Sequence, residues 1–157
     1  MHIDVHHALT YALSRIAGFS HEEANVVATA SQYVDDAKVS GIVHFDNGAR
    51  YHRISSSHKA SDASNLLNDS NYSVWLPFHF LPGNGGLPAG QNPDGQFIVK
   101  LVCRVDSPAS REMVLAARED RFKPRALHRL GIAVHVYADT WAHQGFAGVL
   151  HGVNAVD

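Results

Sequence analysis

The sequence predicts a mainly α-helical domain that carries one small β-hairpin. Capping residues precede several segments in which apolar side chains recur every three or four positions, as they do in amphipathic helices. A single pair of short strand-like runs flanks Asn47-Gly48, a dipeptide that favours a tight hairpin turn. We therefore expect one helical domain over residues 1–157, either complete or a piece of a longer protein.

The composition narrows the class of protein. The chain has 157 residues, of which 45% are hydrophobic, and this suits one compact domain. A net charge of -2 gives no basic surface for duplex nucleic acid, and Cys103 has no second cysteine for an internal disulfide. No apolar run spans a bilayer, so no transmembrane segment is expected. The absence of a secretory leader after Met1 predicts a cytoplasmic location, with export by a signal-independent route as the alternative.

The first helix is expected from Asp4, as the N-terminal cap, to Ala17, with Gly18 ending it. Its predicted core stripe consists of Leu9, Leu13 and Ile16. When this stripe is extended backward it reaches His6, which we therefore expect to face the interior.

A capping box formed by Ser20 and Glu23 opens a second predicted helix, which runs to about Ala37. The expected core stripe of this helix is Ala24, Val27, Ala28 and Ser31. Asp35 follows at the next stripe position, so a carboxylate stands where a core residue is due. Asp36 points about 100° away from it.

The middle of the chain is less regular. Residues 41–54 read as the hairpin, and short helices are expected over 58–69 and over 107–120, where Ser107 caps and Pro108 enters the first turn. Between these helices, residues 74–95 are rich in Gly, Pro and aromatics and predict a long lid or binding loop. Its aromatic side chains either receive a lipid or a base, or fold into the core; they are Trp75, Phe78 and Phe80.

The last predicted helix begins near Pro124 and contains "HVYADTWAHQGF", residues 135–146. His135, Asp139 and His143 recur at intervals of four, so they project from one helical face. The segment is otherwise apolar, and a buried ionised Asp139 needs a cation. Two interpretations stay open: a His135–Asp139 hydrogen bond in a dry core, or a metal ion, zinc or similar, shared with His6 and Asp35.

Several segments carry a resemblance to known families. The stretches "MHIDVHHALTYALSRIAGFS", "ASQYVDDA", "SSHKASDASN", "WLPFHFLPGNGG" and "RLGIAVHVYADTWAHQGFAG" resemble an uncharacterised bacterial family of unknown function. The order His, Asp, His and then H-x-x-x-D, followed by a further His, resembles zinc-dependent phospholipases C and fungal-type single-strand nucleases. That second resemblance implies an all-helical fold in which three zinc ions hydrolyse phosphate esters.

Carried over residue by residue, the resemblance implies a set of metal ligands: His6, Asp35, His58 or its competitor His79, His135, Asp139 and His143. Asp139 would bridge two ions. The zinc family spaces the last His further from the Asp, and it uses an N-terminal Trp for which Asp4 would stand in. Its third zinc needs later ligands, for which only His151 and Asp157 remain, so two zinc ions are expected, or three if the chain continues.

These features predict a metal-dependent phosphoesterase that hydrolyses a small-molecule or lipid phosphoester, such as a phospholipid headgroup or a nucleotide phosphodiester. A metal pair would activate the attacking water, and Asp36 is the first candidate to orient it. Two alternatives are kept: a helical interaction module with a structural metal, and a different metallohydrolase.

Overall fold

The computed structural model describes residues 3–57 and 71–156. Helix α1 begins as a π-helical segment, Asp4–Leu9, and continues as the α-helix Thr10–Ile16. Helix α2 covers His21–Asp36, and the strands β1 and β2 cover Gly41–His44 and Arg50–Arg53. The later helices are α3, a π-helical segment at Asn71–His79, then α4 at Ile98–Leu101, α5 at Pro108–Glu119 and α6 at Ala126–Ala142.

This architecture confirms a mainly helical fold with a small hairpin. The Ser20 hydroxyl accepts from the Glu23 amide and the Glu23 carboxylate accepts from the Ser20 amide, which completes the predicted capping box of α2. Ser107 caps α5 as expected, with Pro108 in its first turn. The strands pair antiparallel, and Gly48 has a φ of 81° in the turn between them. Local side-chain chemistry therefore sets these boundaries.

The core face of α1 differs from the prediction. Leu9, Leu13 and Ile16 are 48%, 55% and 81% exposed, whereas the inward side chains of α1 are His6, Thr10 and Ser14. A π-helical turn contains an extra residue per hydrogen bond, so the opening segment shifts the phase of the helix and turns the leucine stripe outward. The expected cap is also wrong, because Asp4 lies in the first turn and Ile3 is the N-cap.

The stretch predicted as one long loop, residues 74–95, is partly helical. Its first six residues belong to α3, which ends at His79 and contains Pro77. The irregular part after α3 is held by the Asn84 side chain, whose amide nitrogen donates to the carbonyls of Leu87, Pro88 and Gln91. The helix expected over 58–69 lies outside the described residues.

Helix α6 packs against both α2 and α5. Its crossing with α2 is close, since a Cβ on Gly131 would lie 2.3 Å from the Val27 carbonyl oxygen. One face of α6 is buried, while Ile132 and Trp141 on the other are 41% and 61% exposed, so the helix is not enclosed on all sides. Within residues 3–57 and 71–156, no helix is both long and apolar enough to cross a bilayer.

Candidate metal centre

Three histidines and two aspartates from four helices meet in the interior. They are His6 on α1, Asp35 on α2, His79 on α3, and His135 and Asp139 on α6. The side chains of His6, His135 and Asp139 are fully buried, whereas that of Asp35 is 21% exposed. This cluster, the metal centre, therefore lies in the core and reaches the surface at Asp35.

The two carboxylate oxygens of Asp139 face different histidines. Oδ1 lies 3.2 Å from His6 Nε2. Oδ2 lies 3.1 Å from His79 Nδ1 and 3.4 Å from His135 Nε2. The carboxylate therefore presents one oxygen to His6 and the other to His79 and His135, and the rings of His6 and His135 stack on each other with centroids 3.8 Å apart.

Asp35 divides its oxygens in the same way at slightly longer range. Its Oδ2 is 3.9 Å from His6 Nε2. Its Oδ1 is 3.8 Å from His79 Nδ1 and 3.9 Å from His135 Nε2. Each carboxylate thus presents one oxygen to His6 and the other to His79 and His135.

The distances between these atoms suit a metal ion. In one group, His6, His135 and Asp139 each offer an atom within 4.8 Å of the others, and in a second group Asp35, His79 and His135 do the same. Imidazole nitrogens and carboxylate oxygens are ligands of zinc and related divalent ions. The buried cluster could therefore hold a metal ion.

The hydrogen bonds of His79 leave a lone pair facing the carboxylates. Its Nε2 donates to the Ser56 carbonyl at 2.7 Å, so in a neutral ring Nδ1 carries no proton. That Nδ1 lies 3.4 Å from His135 Nε2, from which it can accept a hydrogen bond, and 3.1 Å from Asp139 Oδ2, a contact between two electron-rich atoms unless a cation or a proton lies between them. A carbonyl that holds the far nitrogen is the usual arrangement of a metal-ligating histidine.

Other nitrogens of the cluster have no hydrogen-bond partner among the described residues. These are both ring nitrogens of buried His6 and Nδ1 of His135, and the same holds for Oδ1 of Asp139. Buried polar atoms in folded proteins are nearly always paired, so each such atom calls for an explanation. A ligand bound among these rings would satisfy His6 Nε2 and Asp139 Oδ1 together.

The ionisation states match the needs of a metal site. Burial raises the pKa of Asp139, but the close contacts with His135, His6 and His79 outweigh it and hold the pKa well below its usual range. Burial lowers the pKa of His135 despite its carboxylate neighbour. The cluster thus combines an ionised carboxylate with a neutral imidazole, the forms in which these side chains bind metals.

Cys103 is a buried residue of the core. Its side chain is fully buried, and burial together with the negative charge of Asp139 raises the pKa of the thiol to about 11. The thiolate is the reactive form of cysteine, so Cys103 does not serve as a nucleophile at neutral pH.

The structure brings together His6, Asp35, His79, His135 and Asp139 from the predicted ligand set, but not every member of it. Asp4 is exposed in the first turn of α1, and Asp36 is exposed at the end of α2. Of the two alternatives for the middle histidine, His79 is in the cluster, and His58 lies outside the described residues.

His143 lies at the edge of the metal centre. Its Nδ1 donates to the His79 carbonyl at 2.7 Å and lies 3.7 Å from Asp139 Oδ2. The ring stacks on Phe80 with centroids 4.2 Å apart, and it belongs to neither ligand group. Its described contacts therefore orient His79.

Sequence reasoning missed one group of the site. This is the Ser56 carbonyl, because a main-chain acceptor has no residue signature.

Comparison with known proteins adds a family. No curated protein and no solved structure matches the chain, so a relation to zinc-dependent phospholipases C is not shown. A family model does match, over residues 1–157. The chain belongs to the family of unknown function DUF6765.

Proposed function

We propose that the chain is a metal-dependent hydrolase of phosphoesters, such as a phospholipid headgroup or a nucleotide phosphodiester, that uses two divalent ions, with zinc as the first candidate. One observation carries the proposal: buried Asp139 presents Oδ1 to His6 at 3.2 Å and Oδ2 to His79 at 3.1 Å. A carboxylate in this arrangement suits a bridge between two cations.

The charge of the site supports bound cations. In the described part of the chain, the ion-pair partners of Asp139 are all histidines, at distances from 3.1 to 3.7 Å. Because burial keeps His135 neutral, its ring does not balance the carboxylate charge as an Arg or Lys would. An uncompensated charge in the core is costly, and divalent ions would offset it.

The cluster offers a ligand set on each side of the carboxylates. His6 Nε2 would hold one ion together with Asp139 Oδ1 and Asp35 Oδ2. His79 Nδ1 and His135 Nε2 would hold the second with the other oxygen of each carboxylate. Each of the five side chains then has a role, and His135 serves a single ion.

The chemistry follows from this division. A bound metal pair supplies a water of lowered pKa and a clamp for phosphoryl oxygens. Within the chain, Ser56 fixes the ring of His79, and Asp35 lies on the side of the site that reaches solvent. Asp36, exposed one residue further along α2, is the candidate that orients the attacking water.

A structural metal is the second candidate function. It is favoured by the complete burial of His6, His135 and Asp139, because structural metal sites are closed, whereas catalytic sites keep a position open for water. The partial exposure of Asp35 favours an open site, and for this reason we rank hydrolysis first.

Metal analysis followed by a turnover assay tests the proposal. Protein purified without chelator is expected to carry about two equivalents of zinc or a comparable ion. It should hydrolyse bis-p-nitrophenyl phosphate, lose this activity on chelation and regain it when zinc is restored. An absence of bound metal even after reconstitution would remove both candidates. Tight binding without turnover on phosphodiesters, phospholipids or single-stranded nucleic acid would favour the structural metal.

A further inference from the structure

An apolar cavity of about 690 Å³ lies beside the metal centre. Residues of α2, β2, α3 and the first half of α6 line it, and the following argument uses Thr29, Ser56, Phe78 and Ile132. The volume is in the range of sites that bind small organic molecules. The cavity contains none of the five clustered side chains of the metal centre.

The cavity wall suits a neutral occupant. Among the described residues that line it, none is Asp, Glu, Lys or Arg. Several of its large apolar side chains are left partly in water, with Tyr33 62%, Ile54 67% and Ile132 41% exposed. An occupant that buries this surface gains from the hydrophobic effect, whereas a charged group would meet His52 and His128 as the only ionisable imidazoles among the described lining residues.

The cavity and the metal centre share a wall. Ser56 lines the cavity, and its carbonyl accepts the hydrogen bond that orients His79. Phe78 lines the cavity directly before His79 in α3. On α6, Ile132 lies three residues before His135, which is about 4.5 Å along the helix axis. A group in the cavity is therefore one helical turn from the ligands.

We infer that this cavity binds a neutral, apolar alkyl or aryl substituent of the substrate while the phosphoryl group occupies the metal centre. The inference rests on the proposed function and narrows its substrate class. The preferred substrates are phosphodiesters with an apolar ester group, ahead of those whose substituents are polar or charged throughout.

Two variants block the cavity without touching the metal ligands. Ile132→Glu places a charge in the wall, and Thr29→Trp fills the space from an exposed position of α2. Leu115→Glu on α5 is the matched control, since Leu115 is 52% exposed and lies outside the cavity. Both cavity variants keep every clustered His and Asp, so metal content should stay at the unsubstituted level.

The first measurement is binding of N-phenyl-1-naphthylamine, a neutral probe that fluoresces in apolar sites. The unsubstituted chain should bind it with or without chelator, and each cavity variant should bind about tenfold more weakly. Leu115→Glu should bind normally. The second measurement is turnover of bis-p-nitrophenyl phosphate, for which the cavity variants should raise KM about fivefold and leave kcat unchanged.

The outcomes separate this inference from the proposed function. Turnover with an unchanged KM in both cavity variants overturns the inference and leaves the hydrolase standing. Probe binding that appears only when the protein is diluted to a monomer also overturns it, because a second copy then covers the cavity. Probe binding without any turnover of metal-loaded protein overturns the proposed function and, with it, the assignment of the cavity to a substrate.

Discussion

Two aspartates lie in very different surroundings: Asp106 contacts helix α6, and Asp139 belongs to it. Asp106 lies before α5, with its side chain 36% exposed; its Oδ1 accepts from the Tyr137 hydroxyl at 3.0 Å and its Oδ2 from Arg111 Nη2 at 2.5 Å. Asp139, two residues after Tyr137 on α6, is fully buried and faces only histidines among its described ion-pair partners.

The difference shows how to recognise a carboxylate that needs a ligand. Arg111 is always charged, so it balances Asp106, and the hydrogen bonds from Arg111 and then Tyr137 hold the pKa of Asp106 below its usual range. Among the described residues Asp139 has no such partner, and the rings around it leave nitrogens without a hydrogen bond. The charge of Asp106 is therefore balanced by Arg111, whereas the cluster around Asp139 could hold a metal ion.

The largest expected effect is on Asp139 itself. Asp139→Asn keeps the size of the side chain but removes the charge that would bridge two ions, so metal content and turnover should each fall at least about a hundredfold. Thermal stability should fall less, because the amide can still hydrogen-bond in place. The matched control, Asp106→Asn, should keep both metal and activity. If Asp139→Asn retains full metal occupancy, the cluster is a packing arrangement.

The crossing of α2 and α6 should matter next most. A Cβ at Gly131 would lie 2.3 Å from the Val27 carbonyl oxygen, so Gly131→Ala should push the helices apart and destabilise the fold by about 2 kcal/mol. Because Asp35 and Asp139 lie on these two helices, metal affinity should fall about tenfold as well. Calorimetry and metal titration measure the two effects.

Gly152→Ala is the control for this substitution, since its Cβ would meet nothing within 4 Å. Asp106, Arg111 and Tyr137, the Asp106 cluster, join α6 to the start of α5. Their hydrogen bonds should survive the Gly131→Ala substitution. Unaltered metal affinity in a destabilised Gly131→Ala protein would show that the spacing of α2 and α6 does not set the site.

His143→Ala should have a smaller effect. Because Nδ1 of His143 already donates to the His79 carbonyl, the substitution should loosen His79 and lower metal affinity about tenfold, without loss of a metal equivalent. Titration of the stripped protein with zinc measures this. Loss of about one equivalent would instead restore His143 as a direct ligand, as the sequence resemblance implied.

The smallest effect is the acid response of the Asp106 cluster. The pKa of Asp106 is lower in the folded protein than in the unfolded chain, so its contribution is present above the ordinary carboxyl range and is lost as pH falls through the folded pKa. In metal-free protein, Asp106→Asn should therefore lower Tm slightly at pH 7. This difference should vanish in acid; a Tm gap that persists at the lowest pH would show that packing, not charge, joins Asp106 to Arg111.

Much of the framework follows from short stretches of sequence. The capping box of Ser20 and Glu23, the Ser107 cap and the spacing of His135 and Asp139 depend on residues at most four apart, so the chain itself specifies them. The inward direction of His6 was also predicted, although from a leucine stripe that the structure places outside. The π-helical opening of α1 places His6 and the leucine stripe on different faces of the helix, and apolar periodicity does not reveal such a segment.

The sequence by itself determined which types of side chain are available to the site. They are histidines and aspartates at helical spacing, in apolar segments that bury charge. Only the tertiary structure decided which of them meet. His79 joins Asp35 and Asp139 because α3 and the Ser56 carbonyl place its ring there, and His143 turns to the His79 carbonyl. Such contacts join residues 23 to 64 positions apart, and their distances depend on how helices cross, which local propensity does not encode.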